Sequence, residues 1–261
     1  MSERLAATLT GPDGAPVVAL GTSIGTHQGL FDPQAAVLGR RFRLLRFEFR
    51  GHGPASAQSP APPGPYTIAE LGADVLGLLG RYDLEQVAYC GVSLGGMVGM
   101  WLAAYAPERI SRLGLCCTAA YMPPASMWRE RAATARSQGL APLAGPVIGR
   151  WFTPGFVERD PQAVAAVTAM FNGTDPEGYA GCAEAIAAMD QRQSITTITA
   201  PTLVIAGAED PSTPPWQGAR LAEAIPGAAL TVVRGAAHLA NYQTPGPVTA
   251  ALAAHLAPLL V

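Results

Sequence analysis

One five-residue motif has the residue types and spacing of a nucleophilic serine. Gly91-Val92-Ser93-Leu94-Gly95 lies between QVAYCG, a run that predicts a strand, and LGGMVGMWLAAYA, a pattern that predicts a helix. A sharp strand-to-helix turn exposes the serine hydroxyl, and a glycine two residues away on either side avoids collisions with neighbouring backbone. The helix N-terminus also offers free N–H groups to negative charge that develops during acyl transfer. Ser93 is therefore the candidate nucleophile; the alternative is an ordinary turn serine.

The same pattern occurs again at Gly21-Thr22-Ser23-Ile24-Gly25, so the pattern alone does not select the nucleophile. Ser23 follows an early predicted strand, but THQG is a poor start for a tightly packed helix. In hydrolases with such an elbow, a loop after an early strand supplies the second backbone donor to the oxyanion. We therefore predict an oxyanion hole made of the Ile24 and Leu94 N–H groups. The alternative for residues 21–25 is a simple glycine-rich turn.

A serine nucleophile requires a base, and the chain contains four histidines. His238 lies in GAAHLAN, between the last predicted strand and the final helix, where the base belongs in the chain order serine, acid, histidine. The other three have simpler interpretations. His255 packs within or lies on the terminal helix, His52 belongs to the turn RGHG, and His27 belongs to a loop where it could also touch substrate.

The acid that orients the base should end the preceding strand, and TLVIAGAEDPSTPP supplies two acids there. Asp210 is preferred to Glu209, because the shorter acid directly beside the turn matches the usual arrangement. Its role is to hold the tautomer of His238 and to stabilise the imidazolium, without accepting the proton.

An alternation of short apolar runs and helical patterns would position these residues. It predicts a parallel sheet with helices on both faces in a single domain over residues 1–261. Together with the serine turn and the order serine, acid, histidine, this α/β pattern resembles the α/β-hydrolase fold. The turn GPDG predicts a hairpin between the first two strands. Residues 121–190 hold helical patterns without a convincing strand and predict a helical cap inserted after the sixth strand. The predicted strands are Leu5–Thr10, Val17–Leu20, Arg43–Phe49, Gln86–Gly91, Ile110–Cys117, Thr202–Gly207 and Ala229–Val233; the predicted helices are Thr67–Arg81, Leu94–Ala106, Trp216–Ala224 and Val248–Leu256.

Composition narrows the function classes. The 261 residues are 49% apolar and 14% charged, enough for a large core and against disorder. The net charge of −2 comes from scattered charges, which predicts neither a nucleic-acid surface nor a polybasic membrane patch. Four cysteines form no C-x-x-C pair, and we read them as reduced thiols. The chain has no apolar leader and no run of 18 apolar residues, so we expect a soluble cytoplasmic protein. We leave open whether it is a monomer or a small homo-oligomer.

Several segments resemble the 3-oxoadipate enol-lactonases of the aromatic-catabolic β-ketoadipate pathway. They are CGVSLGGMVGMWLAAYAPERI, LCCTAA, WFTPGF, PEGYAGCAEAIAAMD and PTLVIAGAEDPSTPP. The resemblance implies that Ser93 opens an enol-lactone to a 3-oxo diacid with no metal or nucleotide cofactor. Thr22-Ser23-Ile24-Gly25 and Phe47-Glu48-Phe49 depart from the family pattern near the pocket, which leaves open a different lactone or ester.

The expected substrate is a small molecule with a free carboxylate. The family's Trp-Asn-x-Arg appears here as Trp128-Arg129-Glu130-Arg131, so Arg131 is the candidate carboxylate ligand and Trp128 an apolar wall. The alternative for Arg131 is a solvated helix face. The alternative functions are a broader carboxylesterase or lactonase, possibly biosynthetic, and a ligand-binding module with slow turnover.

Overall fold

The protein is built on one seven-stranded sheet with the strand order β1-β3-β2-β4-β5-β6-β7. The computed structural model describes residues 5–54 and 60–260. The prediction that the N-terminus has no apolar leader concerns residues 1–4 in part, and these lie outside the described ranges. Only β1 runs antiparallel to its neighbour. The strands are β1 Ala7–Thr10, β2 Val17–Gly21, β3 Arg43–Phe47, β4 Val87–Val92, β5 Ile110–Cys116, β6 Thr202–Gly207 and β7 Ala229–Val233.

Helices cover the sheet, and the central strands are buried as a result. All six residues of β4 and all six of β6 are buried, which explains their continuous apolar sequence. The helix α2 begins with a reciprocal capping box between Thr67 and Glu70, and its apolar residues Ile68, Leu71, Val75, Leu78 and Leu79 are buried. The helices are α1 Asp32–Leu38, α2 Ile68–Arg81, α3 Leu94–Tyr105, α4 Ala125–Gln138, α5 Ala141–Ile148, α6 Pro154–Arg159, α7 Pro161–Asn172, α8 Pro176–Ala188, α9 Pro215–Ala224, α10 Ala240–Gln243 and α11 Pro245–Leu256.

The predicted hairpin between the first two strands is wrong, because β1 pairs with β3 and not with β2. Neighbouring strands lie about 4.8 Å apart, so the six residues between β1 and β2 can pass over one intervening strand. At Gly11 the connection lies directly on the start of β3, where an added Cβ would come within 2.3 Å of the Phe42 carbonyl oxygen. Turn residues indicate that the chain reverses direction, but not which strand becomes the neighbour.

Residues 121–190, which we call the helical segment, contain α4 to α8. The segment follows β5, so it enters after the fifth strand and not after the predicted sixth, since only five strands precede it in the described ranges. Its two ends meet in an antiparallel bridge between Tyr121 and Asp190. Arg192 pairs with Asp190 at 2.6 Å and lies over the Tyr121 ring at 4.4 Å. The two ends of the helical segment therefore lie side by side.

All four cysteines are free and buried, in agreement with the prediction of reduced thiols. Across the described ranges, no helix combines the length and the apolar character needed to cross a lipid bilayer.

Candidate active site

Ser93 lies at the carboxyl end of β4 in a backbone conformation that side chains rarely adopt. Its φ is 53° and its ψ is −114°, immediately before the first residue of α3. The turn is anchored because the Ser93 N–H donates to the Cys116 carbonyl at 3.0 Å and the Ser93 carbonyl accepts from Thr118 Oγ1 at 2.7 Å. Strain of this kind persists only where the surroundings determine it, and it is typical of functional positions.

The glycines around Ser93 are required by close backbone contact. A Cβ at Gly91 would lie 2.2 Å from the carbonyl carbon of Gly95, and a Cβ at Gly95 would lie 2.1 Å from the carbonyl oxygen of Gly21. Real Cβ atoms do not approach backbone this closely. The spacing seen in the sequence thus corresponds to two tight contacts, and the second of them joins the serine turn to the loop after β2.

Asp210 and His238 follow β6 and β7 and are hydrogen bonded to each other at 2.8 Å, between Oδ2 and Nδ1. Both side chains are buried, whereas Glu209 is exposed. Thr213 Oγ1 donates to Asp210 Oδ2 at 2.6 Å, and the backbone N–H groups of Ser212 and Thr213 donate to Oδ1 at 2.7 and 3.0 Å. The carboxylate of Asp210, and not that of Glu209, therefore faces the imidazole.

These contacts also determine how Asp210 ionises. Burial by itself would raise the pKa of Asp210, but the charge of His238 and hydrogen bonds from His238 and Thr213 favour the carboxylate. The net effect lowers the pKa below the ordinary value for aspartate. Asp210 is consequently an anion at neutral pH, as the orienting role requires.

One cavity is lined by both Ser93 and His238, together with groups from the loop after β2 and from the helical segment. Its lining is mainly apolar, and it includes two guanidinium groups; none of the described residues in the lining is acidic. Those residues are Ile24, Ser93, Met122, Met127, Trp128, Arg131, Val147, Arg150, Trp151, Ser212 and His238. A cavity with this charge favours an anionic ligand.

The rival motif contributes Ile24 to the cavity but not Ser23. Ser23 is fully buried, and its hydroxyl has no hydrogen-bond partner among the described residues. The loop is attached to the candidate nucleophile's helix, because Gly95 N–H donates to the Thr22 carbonyl at 2.9 Å. Leu94 is the first residue of α3, so its N–H is one of those that a helix leaves without an internal partner. The predicted pair of N–H donors thus belongs to two segments in direct contact.

Trp128 and Arg131 both reach the cavity from α4. Trp128 is buried and donates from Nε1 to the Met122 carbonyl at 3.1 Å. The Arg131 guanidinium lies 4.8 Å from the centre of the Trp128 ring, a cation–π arrangement. Arg131 is partly buried in this position.

Sequence reasoning did not identify Arg150 and Thr213. Arg150 lines the cavity and donates to the Pro211 carbonyl at 2.6 Å, beside Asp210. It precedes WFTPGF in a segment with no periodic charge pattern, so nothing in its spacing distinguishes it. Thr213 lies three residues after Asp210, at the spacing at which a side-chain carboxylate commonly accepts from the backbone. That spacing could have identified it.

The remaining histidines do not line the cavity in the described part of the chain. His27 accepts from the Gly29 N–H at 3.1 Å and caps a short 3-10 turn, which supports the loop interpretation. His255 is partly buried in α11. His52 is buried beside the loop that carries Ile24.

Comparisons with known proteins show the family and the fold of the chain. The sequence model of the alpha/beta hydrolase family matches residues 24–252. The chain is 39% identical to 3-oxoadipate enol-lactonase 2 of Acinetobacter baylyi over 230 residues, which cover 88% of this chain and 84% of that enzyme. It is similar to the crystal structure of the enol-lactonase from Burkholderia xenovorans LB400, with a TM-score of 0.93, 40% identity and coverage of 97% and 96% of the two chains.

A further similar structure is a thermophilic esterase from Thermogutta terrifontis with malate bound. Its TM-score is 0.91 and its identity is 27%, with coverage of 98% of this chain and 94% of that chain.

Proposed function

We propose that this chain, which belongs to the alpha/beta hydrolase family, opens an enol-lactone that carries a free carboxylate, by acyl-enzyme catalysis on Ser93. Its similarity to 3-oxoadipate enol-lactonases supports the proposal. The observation that carries the proposal is the arrangement of the cavity. A strained serine and an imidazole line the same cavity, and a buried carboxylate accepts a hydrogen bond from Nδ1 of that imidazole at 2.8 Å.

The proposed reaction follows from the hydrogen bond between His238 and Asp210. Because Nδ1 donates to Asp210, Nε2 has the free lone pair and accepts the proton as Ser93 Oγ attacks the lactone carbonyl carbon. The Ile24 and Leu94 N–H groups stabilise the oxyanion. Collapse breaks the ring carbon–oxygen bond, and the departing enol oxygen takes up the proton. Water, deprotonated by His238, then attacks the acyl carbon. The bond to Ser93 Oγ breaks, Oγ takes the proton back from His238, and the open diacid is released.

The proposed substrate class rests on the cavity's charge. Arg131 and Arg150 supply guanidinium groups to the lining, and Trp128 and Trp151 supply flat apolar surface. Within such a lining, a guanidinium hydrogen bond to a carboxylate stabilises the complex by about 1.5–3 kcal/mol. We include the helical segment in the proposal as a cap, since it provides both arginines.

The first experiment compares the wild type with Ser93→Ala, His238→Ala and Ser23→Ala on 3-oxoadipate enol-lactone. We expect turnover by the wild type and by Ser23→Ala, and none above background for the other two variants, with circular dichroism confirming that each is folded. Near-normal turnover by folded Ser93→Ala would exclude the proposed mechanism.

The carboxylate role is tested separately with Arg131→Ala and a matched control, Arg129→Ala, on the exposed face of the same helix. We expect Arg131→Ala to raise KM for the carboxylate-bearing lactone about 10- to 100-fold, the equivalent of one charged hydrogen bond. KM for neutral p-nitrophenyl acetate should change little, and Arg129→Ala should resemble the wild type on both. Equal changes on both substrates would contradict the carboxylate role.

A broader esterase is the second candidate, favoured by the similarity to the Thermogutta terrifontis esterase. It uses the same three residues but a different acyl group. Neutral esters would then have a higher kcat/KM than the enol-lactone. A burst of product without sustained turnover would favour the ligand-binding module instead.

A further inference from the structure

His52 lies outside the cavity lining but contacts the loop that carries the Ile24 amide. Its Nε2 accepts a hydrogen bond from the Gly25 N–H at 2.9 Å, and its Nδ1 lies 2.9 Å from the Arg50 carbonyl oxygen. The ring is 2% exposed and packs edge-on to Phe49. Both ring nitrogens therefore have backbone partners in a buried setting.

The two partners determine the tautomer of His52. A backbone N–H can only donate and a carbonyl oxygen can only accept, so Nδ1 carries the proton and Nε2 carries the lone pair. A second proton on Nε2 would face the Gly25 N–H and break that bond. Burial lowers the pKa of His52 to about 4, against smaller opposing effects of the Arg50 carbonyl and Asp175, so the ring is neutral at physiological pH.

The peptides on both sides of Ile24 are thereby fixed. The Ser23 carbonyl accepts from the Thr26 N–H at 3.2 Å and from Thr26 Oγ1 at 2.8 Å, which orients the peptide that contains the Ile24 N–H. The next peptide contains the Gly25 N–H, which His52 holds. Gly25 has a φ of +73°, as a tight turn with a reversed central peptide requires. Without His52, only the first of these two peptides is held by a side chain.

We propose that His52 is a positioning residue for the oxyanion hole, which holds the Ile24–Gly25 peptide so that the Ile24 N–H points into the cavity. The inference rests on the proposed function, because the Ile24 N–H has a catalytic role only in acyl transfer. His52 neither touches the substrate nor exchanges protons in this role. It acts through the direction of one N–H, and such a donor contributes only when charge develops on the carbonyl oxygen.

The test replaces His52 with Leu, which fills the space without an acceptor, and with Gln, whose Oε1 accepts at a reach similar to that of Nε2. Rates are measured on p-nitrophenyl acetate, so that the result does not depend on which lactone is the natural substrate. We expect His52→Leu to lower kcat about 10- to 100-fold with KM nearly unchanged. Complete loss of one oxyanion donor lowers kcat by about 10²–10³-fold, and the effect here should be smaller because the Ile24 amide remains present. His52→Gln should recover most of the loss.

A transition-state readout separates positioning from general damage. An alkyl boronic acid forms a tetrahedral adduct on the serine, and its Ki should rise in His52→Leu in parallel with the fall in kcat/KM. Thr249→Val is the matched control: it removes a buried hydroxyl that accepts from Gln34 Nε2 at 3.2 Å, between α1 and α11. This variant should lose thermal stability but keep the wild-type kcat.

Three results would overturn the positioning role of His52. A folded His52→Leu with wild-type kcat and wild-type boronate Ki, beside an active wild type, overturns the inference and leaves the proposed function intact. A His52→Gln variant as impaired as His52→Leu would also overturn it, since the acceptor would then be irrelevant. No esterase or lactonase turnover by the wild type would overturn the proposed function and this inference together.

Discussion

Replacing Asp210 with Asn should switch His238 to its other neutral tautomer without moving the ring. Oδ1 of Asp210 accepts from two backbone N–H groups, so an asparagine must keep its carbonyl oxygen at that position. Its NH₂ group then occupies the Oδ2 position, 2.8 Å from Nδ1 of His238. Two donors cannot face each other at this distance, so Nδ1 must present its lone pair and the proton must move to Nε2.

The change of tautomer should lower kcat strongly, because Nε2 is the atom that accepts the serine proton in the proposed mechanism. A base with the wrong tautomer lowers kcat by about 10⁴-fold in enzymes of this kind, or about 5.5 kcal/mol of barrier. KM should change little, since Asp210 does not line the cavity in the described part of the chain. The volume of the side chain is preserved, so the fold should survive.

Steady-state kinetics on the enol-lactone, with thermal unfolding as the check of folding, measures the effect. Glu209→Gln makes the same chemical change one residue earlier, on an exposed side chain, and should keep kcat within about twofold of the wild type. The reasoning is refuted if Asp210→Asn retains more than about a tenth of the wild-type kcat. It is refuted equally if Glu209→Gln is the variant that loses activity.

Three further predictions concern the packing and ionisation of buried groups. Thr213→Val removes the 2.6 Å hydrogen bond to Asp210 and should lower kcat by about tenfold, measured on the enol-lactone. Gly95→Ala would force a Cβ to within 2.1 Å of the Gly21 carbonyl and should abolish activity and lower Tm, whereas Gly80→Ala, with open space around it in α2, should raise Tm slightly. Burial raises the pKa of Glu48 to about 7, so the folded protein favours the protonated acid and loses stability as pH rises from about 4.5 to 7. Glu48→Gln should therefore unfold at a higher temperature than the wild type at pH 8 and at the same temperature near pH 4.

The outcomes that would contradict these predictions are distinct. Wild-type kcat in Thr213→Val would mean that the backbone donors alone hold the carboxylate. An active, stable Gly95→Ala would mean that the serine turn and the loop after β2 can separate. An equal Tm difference between Glu48→Gln and the wild type at pH 4 and pH 8 would contradict the raised pKa.

Local sequence patterns predicted the parts of the site that depend on local geometry. Ser93 lies in a strand-to-helix turn whose flanking glycines meet backbone, and that constraint is visible within five residues. Asp210 and His238 follow buried strands whose carboxyl ends share one edge of a parallel sheet, so their order along the chain was informative. The family resemblance added the substrate class and the interpretation of Arg131.

Other features depend on contacts between distant segments and could not be predicted in this way. The pairing of β1 with β3 joins strands that are more than 30 residues apart in the chain, and the turn that follows β1 does not indicate it. Arg150 enters the cavity because α5 ends beside the loop after β6. His52 looked like a turn residue because its decisive partner, the Gly25 N–H, is a backbone group 27 positions away.

The bridge between Tyr121 and Asp190 has a consequence for how enzymes of this architecture diversify. A segment whose two ends touch can be lengthened, shortened or exchanged with little change in chain-closure entropy for the rest of the molecule. Ser93, Asp210 and His238 all lie outside that segment, whereas Arg131, Arg150 and both cavity tryptophans lie within it. Mutations that alter substrate preference can thus accumulate in one exchangeable stretch of gene, while the residues proposed to break the ester bond stay under separate selection.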